Sequence, residues 1–254
     1  MKLSVFAAAI AAGLGLAGSA MGDLAHPVRI AANIAGHTGY WDMPADALPG
    51  SLPNNDPWLW EMTTPAAIID SQNGQVLAMV KWVRLEIQAD PVVNLNFSVQ
   101  AGGADTDFTI SSALLSFAGI NMAEGRATAG ITLTDSDSLG NGATITGLQP
   151  GGKIYTAHYN GFVPGGSTFA NLVSGFSVGS FSSQTQSEAL PPGVGTFIPI
   201  AGTVSDMSSQ FKFRLTAEDQ ASGTSTFIVR EAVPAPGGAA VLALAGLSVV
   251  RRRR

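Results

Sequence analysis

The chain has 254 residues, 46% of them hydrophobic and 12% charged, so it can bury a sizeable core and is not a disordered polyelectrolyte. Its formal charge of -5 hides an acidic body: setting aside Lys2 and Arg251 to Arg254 leaves 8 basic against 18 acidic residues, a net of -10, which repels phosphate backbones and argues against a nucleic-acid partner. There is no cysteine, which excludes disulfides, thiolate metal sites and a catalytic thiol.

The first 22 residues read as an export signal. Met1-Lys2 is a short basic start, Leu3 to Leu16 is largely apolar, and Gly18-Ser19-Ala20 supplies small residues for cleavage after Ala20 or Gly22. As a helix the apolar stretch would reach about 21 Å, short of the roughly 30 Å hydrocarbon core of a bilayer. Gly13-Leu14-Gly15-Leu16-Ala17-Gly18 matches the dinucleotide fingerprint in letters alone, since no strand precedes it and no βαβ unit follows.

Residues 23–64 are expected to form an irregular lead segment, interrupted by Pro27, Pro44, Pro49, Pro53 and Pro57 and carrying Tyr40, Trp41, Trp58 and Trp60. From 65 to 231 the pattern turns to period two, the signature of half-buried strands. Val83, Leu85 and Ile87 alternate with Arg84, Glu86 and Gln88, and Val93, Leu95, Phe97 and Val99 alternate with Asn94, Asn96, Ser98 and Gln100. The short Asp90-Pro91 link between the two runs predicts an antiparallel pair. Further strands are predicted at 66–70, 76–82, 108–117, 128–134, 143–148, 153–158, 195–200, 211–215 and 224–229. Asn73-Gly74, Asn141-Gly142, Asn160-Gly161, Gly102-Gly103, Gly151-Gly152 and Gly165-Gly166 supply turns between them. Many short strands without a sustained 3.6 period predict an all-β fold, an antiparallel β-sandwich of jelly-roll or Ig-like type, with helices only in the terminal signal and anchor.

Four groups in this body bear on chemistry. Gly175-Phe176-Ser177-Val178-Gly179 has the letters of a nucleophile elbow, yet no helix pattern follows Ser177, and His26, His37 and His158 all precede it where that hydrolase fold needs a later histidine. Asp135 and Asp137, in Asp135-Ser136-Asp137-Ser138-Leu139-Gly140-Asn141-Gly142, begin like a calcium loop. Leu139 and Thr146 stand where an EF-hand needs oxygen donors, so a tight turn is the first expectation, and a calcium site shared by two neighbouring loops is the second. No other cofactor is indicated. His158, close to Tyr155 and Tyr159, has no second ligand nearby in the sequence. Trp41, Trp58 and Trp60 are candidates for stacking on sugar rings, or for packing an early strand onto the sandwich.

The last segment, 232–254, is read as a sorting signal with a membrane helix. Val233, Pro234, Ala235, Pro236 and Gly237 form an extended, accessible linker, residues 239–250 are largely apolar, and Arg251, Arg252, Arg253 and Arg254 hold the cytoplasmic side. An apolar run this short spans with help from arginine side chains that reach the headgroups and from local thinning. The order of parts resembles the PEP-CTERM signal, with Pro-Ala-Pro where that signal usually has Pro-Glu-Pro. The resemblance covers about 22 residues and implies recognition by an exosortase-type processing enzyme and contact with the membrane through the C-terminal helix. It also implies a setting in which exopolysaccharide is a partner.

The expected protein is thus an exported, non-enzymatic component of the cell envelope or extracellular matrix, anchored in the inner membrane before processing. A plain tail anchor predicts the same topology without cleavage. A secreted carbohydrate-binding module and a cryptic secreted hydrolase are the alternatives for the body.

Overall fold

The computed structural model describes residues 27–47, 57–88, 91–112, 114–162 and 165–232. The expected export signal at 1–22 and the sorting signal from Val233 to Arg254, with their helices, lie outside the described residues.

The chain moves repeatedly between two antiparallel sheets. It places β1 (Val28–Ile34) and β2 (His37–Asp42) in the first sheet, then β3 (Trp58–Glu61), β4 (Ala66–Ile69), β5 (Val76–Gln88) and β6 (Val92–Ala101) in the second. It returns to the first with β7 (Thr106–Ser112) and β8 (Leu115–Ile120), and crosses back for β9 (Ala123–Thr134). The first sheet then gains β10 (Ala143–Gly147), β11 (Lys153–Tyr159), β12 (Ser167–Ser174) and β13 (Phe176–Val178), and the second gains β14 (Ser183–Leu190) and β15 (Ile198–Pro199). Finally β16 (Val204–Leu215) joins the first sheet and β17 (Gln220–Glu231) the second. The main paths run β12-β11-β16-β7-β1-β2 and β14-β9-β17-β6-β5-β3.

Alternation in the sequence is what gives each sheet an apolar inner face. Val93, Leu95, Phe97 and Val99 are each no more than 1% exposed, and they pair across β5 in the expected antiparallel register, Val83 opposite Phe97, Leu85 opposite Leu95 and Ile87 opposite Val93. Aromatic rings close the space between the sheets. Phe97 meets Phe211 edge-on at 4.9 Å and stacks near Phe213 at 6.2 Å, while Phe169 and Phe227 stack at 5.2 Å. Gly223 lies opposite Phe97 in the ladder, and a Cβ there would overlap the ring, so the glycine makes room for the central aromatic.

The strand pattern differs from expectation in four places, each for a physical reason. The stretch 23–64 is not irregular throughout: Val28, Ile30 and Ala32 alternate inward on β1, and β2 and β3 are also laid into the sheets. Its prolines fall outside these short runs and leave the ladders intact. The run predicted at 108–117 divides into β7 and β8, which pair with two successive parts of the long β16. The run predicted at 195–200 contributes only Ile198–Pro199 to a ladder. β12, β13 and β14 were not predicted: the apolar residues of β12, Phe169, Ala170, Leu172 and Val173, come in adjacent pairs that break strict alternation, and β13 has only three residues. β14, Ser-Gln-Thr-Gln-Ser-Glu-Ala-Leu, is an edge strand mostly open to solvent, so it has no apolar alternation to detect.

Candidate functional site

Strand directions gather four connections at one end of the sandwich. Thr134 closes β9 opposite both Ser183, which opens β14, and Gln220, which opens β17, while Ile145 on β10 faces both Phe176 and Leu215. The β6–β7, β9–β10, β13–β14 and β16–β17 links therefore meet there. Hydrogen bonds lace them together: the Asp135 amide donates to Ser182 O at 3.0 Å, Ser136 Oγ to Glu218 O at 2.8 Å, and the Glu218 amide to Gly102 O at 2.8 Å.

Three carboxylates converge within this end. One carboxylate oxygen each from Asp135, Asp137 and Asp219 lie within 4.8 Å of one another. Asp135 is 6% exposed, and its Oδ2 accepts from the amides of Phe181 at 2.7 Å and Gly142 at 3.2 Å. Its Oδ1 is buried and has no hydrogen-bond partner among the described residues. Gly142 serves this contact with a left-handed φ of +81° in a position where a Cβ would press on Val178 O, so the Asn141-Gly142 turn is needed for access to Asp135. Asp137 uses Oδ1 to accept from Leu139 and Gly140, at 2.7 and 3.2 Å. Asp219, 1% exposed, accepts from the Ser136 amide at 3.3 Å and from Thr216 Oγ1. Burial pushes the Asp219 carboxyl above the usual carboxylate range, against its hydrogen bonds, and the neighbouring charges of Asp135 and Asp137 push it the same way. Among the described residues none of the three forms an ion pair.

The loop predicted for Asp135 and Asp137 is thus both a tight turn and part of a carboxylate cluster. Asp219 was not singled out from the sequence. It stands 84 residues after Asp135, and the β9–β17 ladder, with Thr134 opposite Gln220, is what makes them neighbours. The available signal was the acidic pair Glu218-Asp219 in a turn between two predicted strands.

The other candidates fall elsewhere. Ser177 is in the middle of β13, where its hydroxyl meets Thr144 Oγ1 at 2.8 Å. His158 is on β11 opposite Ser208, roughly 25 Å along β16 from the Thr144–Thr216 contact by strand rise, so the two do not converge. His158 is buried with Nδ1 lacking a partner among the described residues, and burial pushes it down to about 4. Nearby, Tyr155 is enclosed, with its hydroxyl 2.9 Å from Ser209 Oγ, and burial pushes it up to about 12.

Trp41, Trp58 and Trp60 are half-buried and packed against the core. Trp41 and Trp60, from different sheets, lie 6.1 Å apart and tilted by 39°, so these two rings are not coplanar. Trp82 instead borders an outward polar groove of about 260 Å³ with Arg84, Glu86, Asn94 and Asn96, and its indole donates to Glu61 at 2.8 Å. The sorting-motif residues Val233, Pro234, Ala235, Pro236 and Gly237 and the terminal Arg251, Arg252, Arg253 and Arg254 lie outside the described residues. Among the described residues no helix is long and apolar enough to cross a membrane.

No protein-family model matches the chain, and no curated protein matches it. Among solved structures it is similar to the adhesin domain of Epf from Streptococcus pyogenes, at 8% identity and a TM-score of 0.35, covering 80% of this chain and 57% of that one. It is also similar to the structure of the infectious bursal disease virus Gx strain, at 10% identity and a TM-score of 0.31, covering 82% of this chain and 56% of that one. The chain spans little more than half the length of these structures, and likeness at this level leaves function to be argued from the chain's own residues.

Proposed function

We propose that this protein is a non-catalytic β-sandwich of the bacterial cell surface or extracellular matrix, exported by its N-terminal signal and retained through a PEP-CTERM-type tail that an exosortase-type enzyme processes. The observation that carries this is the order of parts at 233–254: a Pro-Ala-Pro linker, an apolar run and four arginines, following directly on the last strand. The path of β17 agrees with such a tail. Glu231 is paired with Ala123, and the Ala232 amide donates to Met122 O at 3.0 Å, so the chain leaves the sandwich at the end opposite the carboxylate cluster. Eleven strand steps, about 36 Å, separate that exit from Gln220. A sandwich held by this tail stands with its acidic loops away from the membrane. Of the two sandwich types left open by the sequence, the repeated passage of the chain between sheets favours the jelly-roll.

Mass measurement of the mature protein from wild-type and exosortase-deficient cells tests this reading. The expected result is loss of Arg251 to Arg254 in the wild type alone. An intact arginine tail in both strains would overturn processing and leave a plain tail anchor.

A further inference from the structure

We propose that Asp135, Asp137 and Asp219 form a calcium site that ties the β9–β10, β13–β14 and β16–β17 connections together at the end of the sandwich remote from the tail. Oxygens that share one calcium ion at about 2.3–2.6 Å lie at most about 5 Å apart. The three carboxylates, with oxygens within 4.8 Å of one another, meet that limit as they stand.

The carboxylates alone would be an acidic patch; what points to a cation is the bonding of Asp135. Two amides hold its Oδ2, while Oδ1, on a residue 6% exposed, is shut off from solvent with no donor among the described residues. A buried carboxylate oxygen left bare is costly, and a bound cation supplies the missing partner. Asp137 is arranged in the same sense, its Oδ1 held by the Leu139 and Gly140 amides and its Oδ2 accepting no hydrogen bond among the described residues. All three side chains are therefore positioned by hydrogen bonds from the loops they would join. Calcium takes six to eight oxygens, so the remainder would have to come from backbone carbonyls and water, and an all-oxygen set suits it better than magnesium, which demands shorter bonds and near-octahedral geometry.

The site also gives the acidic loops a purpose in the fold. Asp135 accepts from Phe181 on one connection, while Ser136 and Asp219 link it to another, so one ion would brace three loops against opening. Its chemistry does not depend on where the tail takes the protein.

Calorimetric titration of the full chain with calcium chloride, with thermal unfolding in calcium and in EDTA, tests the proposal. The expected result is binding with Kd at or below about 1 mM, the weak limit for extracellular calcium modules, and a Tm raised by about 3–5 °C at tenfold excess over Kd. Asp137→Asn keeps an acceptor for the Leu139 and Gly140 amides and so retains the fold, but it should weaken calcium binding at least tenfold. Asp219→Asn should do the same. Absence of both heat and Tm shift, an unchanged response in Asp137→Asn, or an equal response to magnesium would each overturn the proposal.

Discussion

Where β17 leaves the sheet, Glu124 lies 2.6 Å from Arg230, whose guanidinium lies 3.6 Å from the centre of the Phe197 ring. At the other end Asp135, Asp137 and Asp219 face one another with no cationic side chain bonded to them among the described residues. The end where β17 leaves the sheet also carries an open, largely apolar groove of about 470 Å³, lined by Met122, Pro199, Ile200 and Ala232 among others. The Glu124–Arg230 pair balances its charge from within the chain. The three carboxylates leave a local excess that protons or a dissolved cation must balance, so conditions in solution should act on the two groups differently.

Asp135→Ala is the most damaging change expected at the acidic end, because it strips the acceptor from two amides at once. Hydrogen bonds to a charged group contribute about 1.5–3 kcal/mol each, so a loss of about 4 kcal/mol is expected in urea unfolding. A loss below about 1 kcal/mol would mean that the loops are held together by something other than this carboxylate.

Acid should separate the halves by sign. His158, in the half where β17 leaves the sheet, is held neutral by burial, at about 4 against an unfolded value near 6.5. Between those values the unfolded chain binds a proton that the folded chain does not. The contribution of neutral His158 is therefore whole above about pH 6.5 and is lost as the pH falls to about 4, amounting to about 3 kcal/mol. Asp219 works in the opposite direction. Its raised folded value favours the fold below the ordinary carboxylate range, and that advantage disappears as the pH rises through the folded value. Unfolding of His158→Leu at pH 7 and pH 4.5 should show a shallower loss on acidification than the unsubstituted chain. Equal losses would show that His158 is not the acid-sensitive group.

Arg230→Met is the mildest test. It removes an exposed ion pair and a cation–π contact, for a combined cost of about 1 kcal/mol that salt should diminish. A response of that size to salt at the acidic end, in the absence of calcium, would blur the contrast between the two.

Much of the sandwich is legible in residues 83–99, where strict alternation names the inward side chains and the short link implies their pairing. β1 shows the same alternation but is too brief to stand out among prolines, and β14 has none because neither side of an edge strand is deeply covered. The carboxylate cluster was half legible. Asp135 and Asp137 are two residues apart and announce a turn, whereas Asp219 becomes their neighbour only through strand pairing.

By itself, the sequence determined the all-β character, the acidic and cysteine-free body and the order of parts expected at the two termini, because composition and local periodicity are properties of neighbouring residues. Only the tertiary structure decided that Trp41 and Trp60 pack together against the core, that Ser177 and His158 lie far apart, and that Asp219 joins Asp135 at the end opposite Ala232. Those relations depend on strand order and register, which bring together residues tens of positions apart and which no local pattern encodes.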